Sequence, residues 1–186
     1  MLEQLLSLDK KIFVFLNGLG SEQYDAFWLF ITKQLHWTPF FILVLYFVQK
    51  QIGWKKLGIV VLFIAALIAF TDQITNVFKF SYERLRPCKD LEISSIIRIV
   101  KCSDTYSFFS GHASNSMATM TFIFLLMKQN GKNLYWLYIF PLVFAYSRIY
   151  LGLHFPSDIL TGYFFGILSG TLFFKIYQIL SKKYNW

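Results

Sequence analysis

The chain is dominated by long apolar segments that contain very few charged residues. Residues 57–78, LGIVVLFIAALIAFTDQITNVF, hold a single charged side chain, Asp72. A helix rises about 1.5 Å per residue, so about 20 such residues cross the roughly 30 Å hydrocarbon core of a bilayer. Residues 159–180 have a similar length, and residues 112–127 and 134–147 are shorter segments that lengthen with their flanks. These segments predict several membrane-spanning helices.

The N-terminal region is less regular. Residues 39–49, PFFILVLYFVQ, are too short to span a membrane alone, but the apolar character continues back through residues 25–38 despite Lys33 and His36. Residues 2–17 are amphipathic, and we expect them to form a helix that lies in the membrane interface. The sequence therefore predicts an all-α fold, a polytopic transmembrane helical bundle of five or six spans with an N-terminal interfacial helix.

The composition supports a single membrane-embedded domain. Of the 186 residues, 56% are hydrophobic and 15% are charged, whereas soluble domains carry about 25% charged residues. The length suits one domain, so we expect residues 1–186 to form a single unit. The formal net charge of +8 is not accompanied by a basic stripe interleaved with exposed aromatic residues. We expect no nucleic-acid partner and no obligate protein partner.

The distribution of lysines predicts the orientation in the membrane. If consecutive spans alternate, residues 49–56, 128–133 and 175–186 fall on one side and carry no acidic residue. Their basic residues are Lys50, Lys55, Lys56, Lys128, Lys132, Lys175, Lys182 and Lys183. Short loops rich in lysine are typical of the cytoplasmic side. The opposite side, with the loop 80–109 and the turn 149–156, would face the periplasm or the exterior of a bacterial inner (plasma) membrane.

Three polar segments interrupt the apolar pattern, and this topology brings all of them to the non-cytoplasmic face. They are KFSYERLRP at residues 79–87, FSGH at 109–112 and SRIYLGLHFPSD at 147–158. An ionisable group at membrane depth costs roughly 2.5–3.5 kcal/mol on insertion scales, so such groups commonly serve a function. Each segment alone could be a solvated helix end, an interhelical contact or a hydrogen-bonded turn. Together, on one membrane face, they predict a functional site.

In order and internal spacing, the three segments resemble the three-part signature of the type 2 phosphatidic acid phosphatase family, which includes bacterial lipid phosphatases, glucose-6-phosphatases and vanadium haloperoxidases. The matching residues are Lys79, Arg86 and Pro87, then Ser110, Gly111 and His112, then Arg148, His154 and Asp158. The chain departs from the family at Phe109, where proline is frequent, and we expect activity to survive this change. The resemblance implies a membrane lipid phosphatase that forms a phosphohistidine and uses no metal or other cofactor.

The residue chemistry agrees with the resemblance. Phosphoryl transfer needs positive charge around the phosphate oxygens, which Lys79, Arg86 and Arg148 can supply as phosphate-binding residues. Ser110 and Gly111 stand at the start of a predicted helix, where free backbone N–H groups favour an anion.

The two histidines of these segments suit covalent catalysis. Neutral His154 can attack phosphorus, while Asp158 holds its other ring nitrogen and stabilises the cation that forms. His112 is left to protonate the leaving oxygen and then to activate water. The histidines and scattered acids show no zinc-like spacing, so we expect no metal. The catalytic residues are therefore predicted to be His154, His112 and Asp158.

Other features have weaker interpretations. The predicted helix 57–78 and the residue that follows it carry one polar face. This face indicates helix–helix hydrogen bonding or the positioning of Lys79, and it consists of Asp72, Thr75, Asn76 and Lys79. A ridge of small residues indicates packing within the chain rather than dimerisation; it consists of Gly162, Gly166 and Gly170.

The loop 80–109 contains both cysteines of the chain, Cys88 and Cys102. An oxidising compartment permits a disulfide that would hold this loop beside the site, and a pair of unlinked thiols is the alternative. The loop also carries basic residues that could hold a second phosphate or an anionic headgroup. These are Arg84, Lys89, Arg98 and Lys101.

The predicted function is that of a phosphatase acting on a phosphorylated membrane lipid, with the bilayer as its second partner. Undecaprenyl diphosphate, phosphatidate, phosphatidylglycerophosphate and lipid A all present a phosphate at a membrane face, and no residue in the sequence distinguishes them. The alternatives are a phosphatase of a soluble phosphate ester, a haloperoxidase-like relative, and a non-enzymatic protein that binds or transports anionic lipids. The pairing of a nucleophile with an orienting carboxylate argues against the non-enzymatic alternative, because a protein that only binds or transports anionic lipids does not need it.

Overall fold

The computed structural model describes residues 2–185, and their regular structure consists of helices alone. The α-helices are α1 (Leu2–Gly18), α2 (Asp25–Ile31), α3 (Thr38–Tyr82), α4 (Gly111–Gln129), α5 (Ile139–Tyr150) and α6 (Pro156–Tyr184). Short 3-10 helices cover Glu22–Tyr24, Gln34–Trp37, Pro87–Lys89 and Tyr135–Tyr138. The prediction of an all-α fold is confirmed.

Helix α3 consists of two helical arms that meet at a kink. Gly53 has non-helical torsion angles (φ 78°, ψ 169°), in a region that glycine adopts without the steric cost of a Cβ. We expected residues 49–56 to form a loop between two spans, whereas the helix is interrupted at this one residue. The apolar segment 57–78 lies entirely in the second arm.

The region before α3 differs from the single long helix that its apolar character suggested. Helix α2 ends at Ile31, and a 3-10 helix at Gln34–Trp37 precedes the start of α3 at Thr38. Trp37 closes the break by donating an indole hydrogen bond to the carbonyl of Ile31, at 2.8 Å.

Helix α4 lies at the centre of the bundle and packs against α3, α5 and α6. Its closest neighbour is α6, whose three small residues face the α4 backbone. A Cβ added to Gly162 would lie 2.7 Å from the carbonyl oxygen of Ser110, and one added to Gly170 would lie 2.5 Å from that of Ala118. The glycine ridge therefore packs within the chain, as predicted.

The outer surfaces of the long helices are apolar. Two helical stretches are long and apolar enough to cross a membrane, Gln34–Lys89 and Pro156–Tyr184. Large apolar side chains point outward from them, such as Leu62 and Phe164. This arrangement is typical of a chain whose helices contact lipid.

The lysine-rich segments meet at one end of the bundle. A cavity there is lined by residues of all three segments, including Lys56, Asn130 and Lys182, and Gln178 of α6 donates a hydrogen bond to Gln129 of α4 at 3.1 Å. The three polar segments of the signature lie at the opposite end of the bundle, at the end of the second arm of α3 and at the starts of α4 and α6. The long apolar helices separate the two groups.

Helix α1 forms as predicted, and one of its faces packs against the protein. Phe13 is fully buried and contacts the ring of Phe155 in an edge-on arrangement, with centroids 5.4 Å apart. Asn17, one turn further, donates hydrogen bonds to the carbonyl oxygens of Arg98, Ile149 and Tyr150 at 3.0–3.1 Å. The interfacial position of this helix stays a prediction.

Candidate active site

The loop between α3 and α4 is fixed to the turn between α5 and α6. Cys88 and Cys102 form a disulfide, which decides between the alternatives that the sequence left open. The backbone N–H of Cys88 donates to the carbonyl of Gly152 at 3.3 Å, and that of Lys101 donates to Leu151 at 3.0 Å. These contacts place the first and third signature segments side by side.

The turn between α5 and α6 presents His154 and Asp158 to each other. Gly152 turns the chain with a positive φ of 87°, and α6 begins at Pro156, which suits the first turn of a helix. Asp158 lies in that first turn and accepts the backbone N–H of Phe155 at 2.9 Å. Its Oδ2 lies 3.4 Å from Nδ1 of His154, and both side chains are buried. The structure thus brings the predicted nucleophile to the predicted orienting carboxylate.

Arg86 occupies the other side of the His154 ring. Its Nη1 lies 3.1 Å from Nε2 of His154 and donates to the carbonyl of Leu153 at 2.9 Å. Its Nε donates to the carbonyl of Thr105 at 2.7 Å. Because a guanidinium has no acceptor, Nε2 must carry the lone pair in this contact, and the ring proton is then on Nδ1, facing Asp158.

The same surroundings determine the charge of His154. Burial lowers the pKa of this imidazole to about 3, and the nearby charges of Arg86 and Arg148 also lower it, against the opposing effect of its hydrogen bond to Asp158. The ring is therefore neutral at physiological pH. A neutral ring whose lone pair lies on Nε2 is the form that can act as a nucleophile once the contact with Arg86 is released.

Arg148 and His112 approach from α5 and α4. Arg148 is buried and donates from Nη1 to the hydroxyl of Thr32; within residues 2–185, its Nε has no hydrogen-bond partner. The His112 ring stacks on Phe144, with centroids 5.1 Å apart. His112 interacts electrostatically with the signature cations and with His154, so these groups form one cluster.

Lys79 joins this cluster from the last turns of α3. It interacts electrostatically with Arg86, Arg148, Asp72 and Asp158. Asp72 itself accepts a hydrogen bond at 2.6 Å from the side-chain amide of Asn115 on α4. The polar face of α3 therefore makes the expected helix–helix hydrogen bond and also runs up to the site.

The start of α4 is shaped by the residues around Ser110. The Ser110 hydroxyl caps the helix by accepting the N–H of Ala113 at 3.4 Å, and its own N–H donates to the carbonyl of Asp158 at 3.1 Å. Phe109, which replaces the frequent proline, is buried between the rings of Phe78 and Phe165. The departure at this position is thus an aromatic packing contact beside the site.

Two residues that contact Asp158 were not assigned to the site from the sequence. Arg84 Nη1 donates to Asp158 Oδ1 at 2.7 Å, and the Ser107 hydroxyl donates to Asp158 Oδ2. Arg84 stands within the first signature segment, and this position in the sequence could have indicated a role in the site. Ser107 lies in the loop, and nothing in its local sequence distinguishes it from other loop serines.

Most of the basic loop residues that we considered for a second phosphate are already paired. Arg84 contacts Asp9 as well as Asp158, Lys89 contacts Asp104 at 2.7 Å, and Arg98 contacts Asp25 at 2.8 Å. This pairing weighs against a second phosphate site in the loop. The charge-assisted contacts instead hold the loop and the N-terminal helices together.

Comparison with known proteins gives the same family as the signature. The profile of the PAP2 superfamily matches residues 57–182. Two curated relatives are lipid A 4'-phosphatases. That of Bacteroides thetaiotaomicron is 33% identical, over 98% of this chain and 83% of the relative. That of Porphyromonas gingivalis is 26% identical, over 100% and 78% respectively.

Two crystal structures share the fold. A transmembrane PAP2-type phosphatidylglycerolphosphate phosphatase from Bacillus subtilis superposes with a TM-score of 0.70 at 19% identity, over 94% of this chain and 87% of the other. Aquifex aeolicus LpxE superposes with a TM-score of 0.61 at 23% identity, over 89% and 93%. The resemblance seen in the sequence is confirmed: the chain belongs to the PAP2 superfamily and is an integral-membrane lipid phosphatase.

Proposed function

We propose that this protein removes the 4'-phosphate of lipid A through a phosphohistidine on His154. The observation that carries the chemistry is the arrangement of His154 between Arg86 at Nε2 and Asp158 at Nδ1. The substrate is suggested by the curated relatives, since the one at 33% identity aligns with nearly the whole chain and is a lipid A 4'-phosphatase.

The phosphate would be held by the signature cations. Lys79 supplies positive charge from the end of α3, and Arg86 supplies it from the loop that follows. The unpartnered Nε of Arg148 is a donor available to a phosphate oxygen. At Gly111 an added Cβ would meet only ordinary contacts, at 3.5 Å or more. Packing within the protein therefore does not require glycine here, and a close approach of the substrate to the backbone at the start of α4 would explain it.

In the first step, the Nε2 lone pair of His154 attacks phosphorus and the bond from phosphorus to the 4'-oxygen breaks. His112, which must enter this step as the imidazolium, donates its proton to that oxygen and becomes neutral, so the dephosphorylated lipid leaves as an alcohol. Asp158 stabilises the positive charge on the phosphorylated ring. The cations stabilise the charge on the equatorial oxygens, where it is greatest in the transition state.

In the second step, His112 is neutral and acts as a base. It takes a proton from water as the water oxygen attacks phosphorus, and the bond from phosphorus to Nε2 of His154 breaks. Inorganic phosphate leaves, and both histidines return to their starting states. Among residues 2–185, no three His, Cys, Asp or Glu side chains are grouped to hold a metal ion, and the steps assigned here are carried by the chain's own residues.

We also propose a topology of five spans in the bacterial inner membrane: the two arms of α3, then α4, α5 and α6. The motif-bearing end, with the loop 80–109, would face the periplasm, and α1 would lie at that interface. Residues 1–186 would form one domain. The support is the grouping of the lysine-rich segments at the other end of the bundle, because such segments favour the cytoplasm.

A substrate comparison tests the proposed function. We expect purified protein to release phosphate faster from lipid A bearing only a 4'-phosphate than from its isomer bearing only the 1-phosphate. Phosphate release from the 4'-phosphorylated lipid A should also be faster than release from phosphatidate, phosphatidylglycerophosphate and undecaprenyl diphosphate. Activity should survive EDTA, and vanadate should inhibit because it resembles the transition state. Preference for another lipid in the panel would reject the substrate, and loss in EDTA restored by a divalent ion would reject the mechanism.

A pair of reporters tests the topology. We expect a reporter fused after the C-terminal segment SKKYNW, residues 181–186, to be active when it requires the cytoplasm and silent when it requires the periplasm. The same pair inserted at exposed Leu91, in the loop 80–109, should give the opposite result. A periplasmic signal from the C-terminal fusion would place the site inside the cell and exclude substrates of the outer leaflet.

A further inference from the structure

Helix α1 contributes a buried carboxylate to the surroundings of the catalytic turn. Asp9 is 8% exposed. Its Oδ1 accepts the backbone N–H of Ser157 at 2.9 Å, and its Oδ2 accepts the Ser157 hydroxyl. Oδ2 also accepts Nη2 of Arg84 at 2.7 Å. Asp9 is therefore bonded to the residue that precedes Asp158 and to the guanidinium that contacts Asp158.

Arg84 bridges the two carboxylates. Its Nη1 donates to Oδ1 of Asp158 and to the Ser157 hydroxyl, both at 2.7 Å, while Nη2 is on Asp9. The plane of the guanidinium is fixed further by the ring of Phe155, whose centroid is 4.1 Å from Cζ. Together these contacts fix the position of the guanidinium, so Arg84 cannot shift towards Asp158 without breaking its hydrogen bond to Asp9.

We infer that Asp9 is a positioning residue for catalysis: through Arg84 it fixes the place of the Asp158 carboxylate and shares the guanidinium charge with it. The inference rests on the proposed role of His154 as nucleophile. Asp158 Oδ2 faces His154, and Oδ1 faces Arg84. Both oxygens belong to one carboxylate, so a change in position or charge at Oδ1 also changes how well Asp158 stabilises the positively charged ring of His154.

The consequence follows from charge sharing at short range. With the Asp9 carboxylate in place, one guanidinium serves two carboxylates, and Asp158 keeps part of its negative charge available to the phosphorylated ring. With an amide in place of Asp9, the guanidinium charge is balanced by Asp158 alone. Stabilisation of the ring cation then decreases in the transition state. Substrate binding is unaffected, because Asp9 contacts none of the residues assigned to the phosphate.

The test replaces Asp9 by its amide and separates kcat from KM. We expect Asp9→Asn to lower kcat by about tenfold, the lower end of the loss seen when a residue that supports a metal-bound histidine is removed, with KM and vanadate inhibition unchanged within about twofold. Asp9→Glu, which keeps the charge, should recover most of the activity. Glu3→Gln is the matched control, since Glu3 is an exposed carboxylate on the same helix, and it should equal the parent protein.

A double-mutant cycle with Arg84→Lys completes the test. Lysine keeps the charge but cannot bridge both carboxylates, so Asp9→Asn should cost less in that background than alone. Unchanged kcat in Asp9→Asn, a loss confined to KM, or additive effects would each overturn the inference. If Asp9→Asn does not yield folded protein, Arg84→Lys alone is measured, and a loss confined to KM overturns the inference. His154→Ala distinguishes failure of the proposed nucleophile from failure of the role of Asp9. Activity in His154→Ala rejects the proposed nucleophile. An inactive His154→Ala together with an unchanged kcat in Asp9→Asn rejects the role of Asp9 alone.

Discussion

Phosphate release is expected to fall by about a thousandfold or more when His154 is replaced by alanine, the scale seen when a covalent nucleophile is deleted. The substitution removes the atom that would bond to phosphorus, while Arg86, Arg148 and Lys79 remain to bind the substrate. The variant should therefore retain affinity for lipid and lose turnover. Steady-state release of phosphate, together with lipid binding to the purified variant, measures both quantities.

The chain provides a matched control in its third histidine. His36 lies in the 3-10 helix before α3, where Nδ1 contacts the carbonyl of Phe30 at 2.8 Å, and His36→Ala should keep turnover close to that of the parent. Because acid hydrolyses a phosphohistidine, reactions with ³²P-labelled substrate are quenched in alkaline detergent, which should trap a labelled protein in the parent and in His36→Ala, and none in His154→Ala. Labelled His154→Ala protein would show that another side chain is the nucleophile.

The second large effect is expected on stability, at the contact between α4 and α6. A Cβ on Gly166 would lie 2.6 Å from the carbonyl oxygen of Ser114 and 2.9 Å from Cβ of Met117, so Gly166→Ala forces the two backbones apart. Overpacking of this kind costs about 1–3 kcal/mol. The thermal unfolding midpoint in detergent should fall, and activity should fall with it, because α4 carries His112 and α6 carries Asp158.

Gly58→Ala serves as the control for this substitution. Gly58 lies in the second arm of α3, and a Cβ there would meet nothing within 4 Å. Alanine is favoured over glycine in a helix by up to about 1 kcal/mol, so this variant should be as stable as the parent or slightly more stable. An equal midpoint for both variants would mean that the α4–α6 contact tolerates a methyl group and is looser than the structure indicates.

The helices could be predicted from the sequence because hydropathy and helix length are local properties. The apolar segments 57–78, 112–127 and 159–180 all lie inside α3, α4 and α6. The breaks were harder to predict. Gly53 interrupts α3 at one residue, although the surrounding lysines suggested a loop, and residues 25–49 divide into separate helices despite continuous apolar character.

The signature residues could also be predicted from the sequence, since they are matched by residue type and spacing. The structure brings five of them together in one cluster, as expected from the membrane face that the sequence predicts for all of them: Lys79, Arg86, His112, Arg148 and His154. Their catalytic roles remain predictions until the variants are measured. The membership of the lipid phosphatase family follows from the same residues, and the comparisons confirm it.

The tertiary structure alone decided which side chains contact the predicted catalytic groups. Asp9 is an unremarkable acid in an amphipathic helix, and Ser107 is one of several loop serines, yet both bond to the turn that holds His154 and Asp158. Asp9 and Ser157 are 148 positions apart in the chain, and no local pattern encodes a contact over that separation. The sequence by itself determined the family, the helices and the candidate site residues, because these depend on residue type, hydropathy and spacing. The supporting hydrogen bonds depend on how α1 and the disulfide-linked loop pack onto the bundle, and only the folded chain specifies that packing.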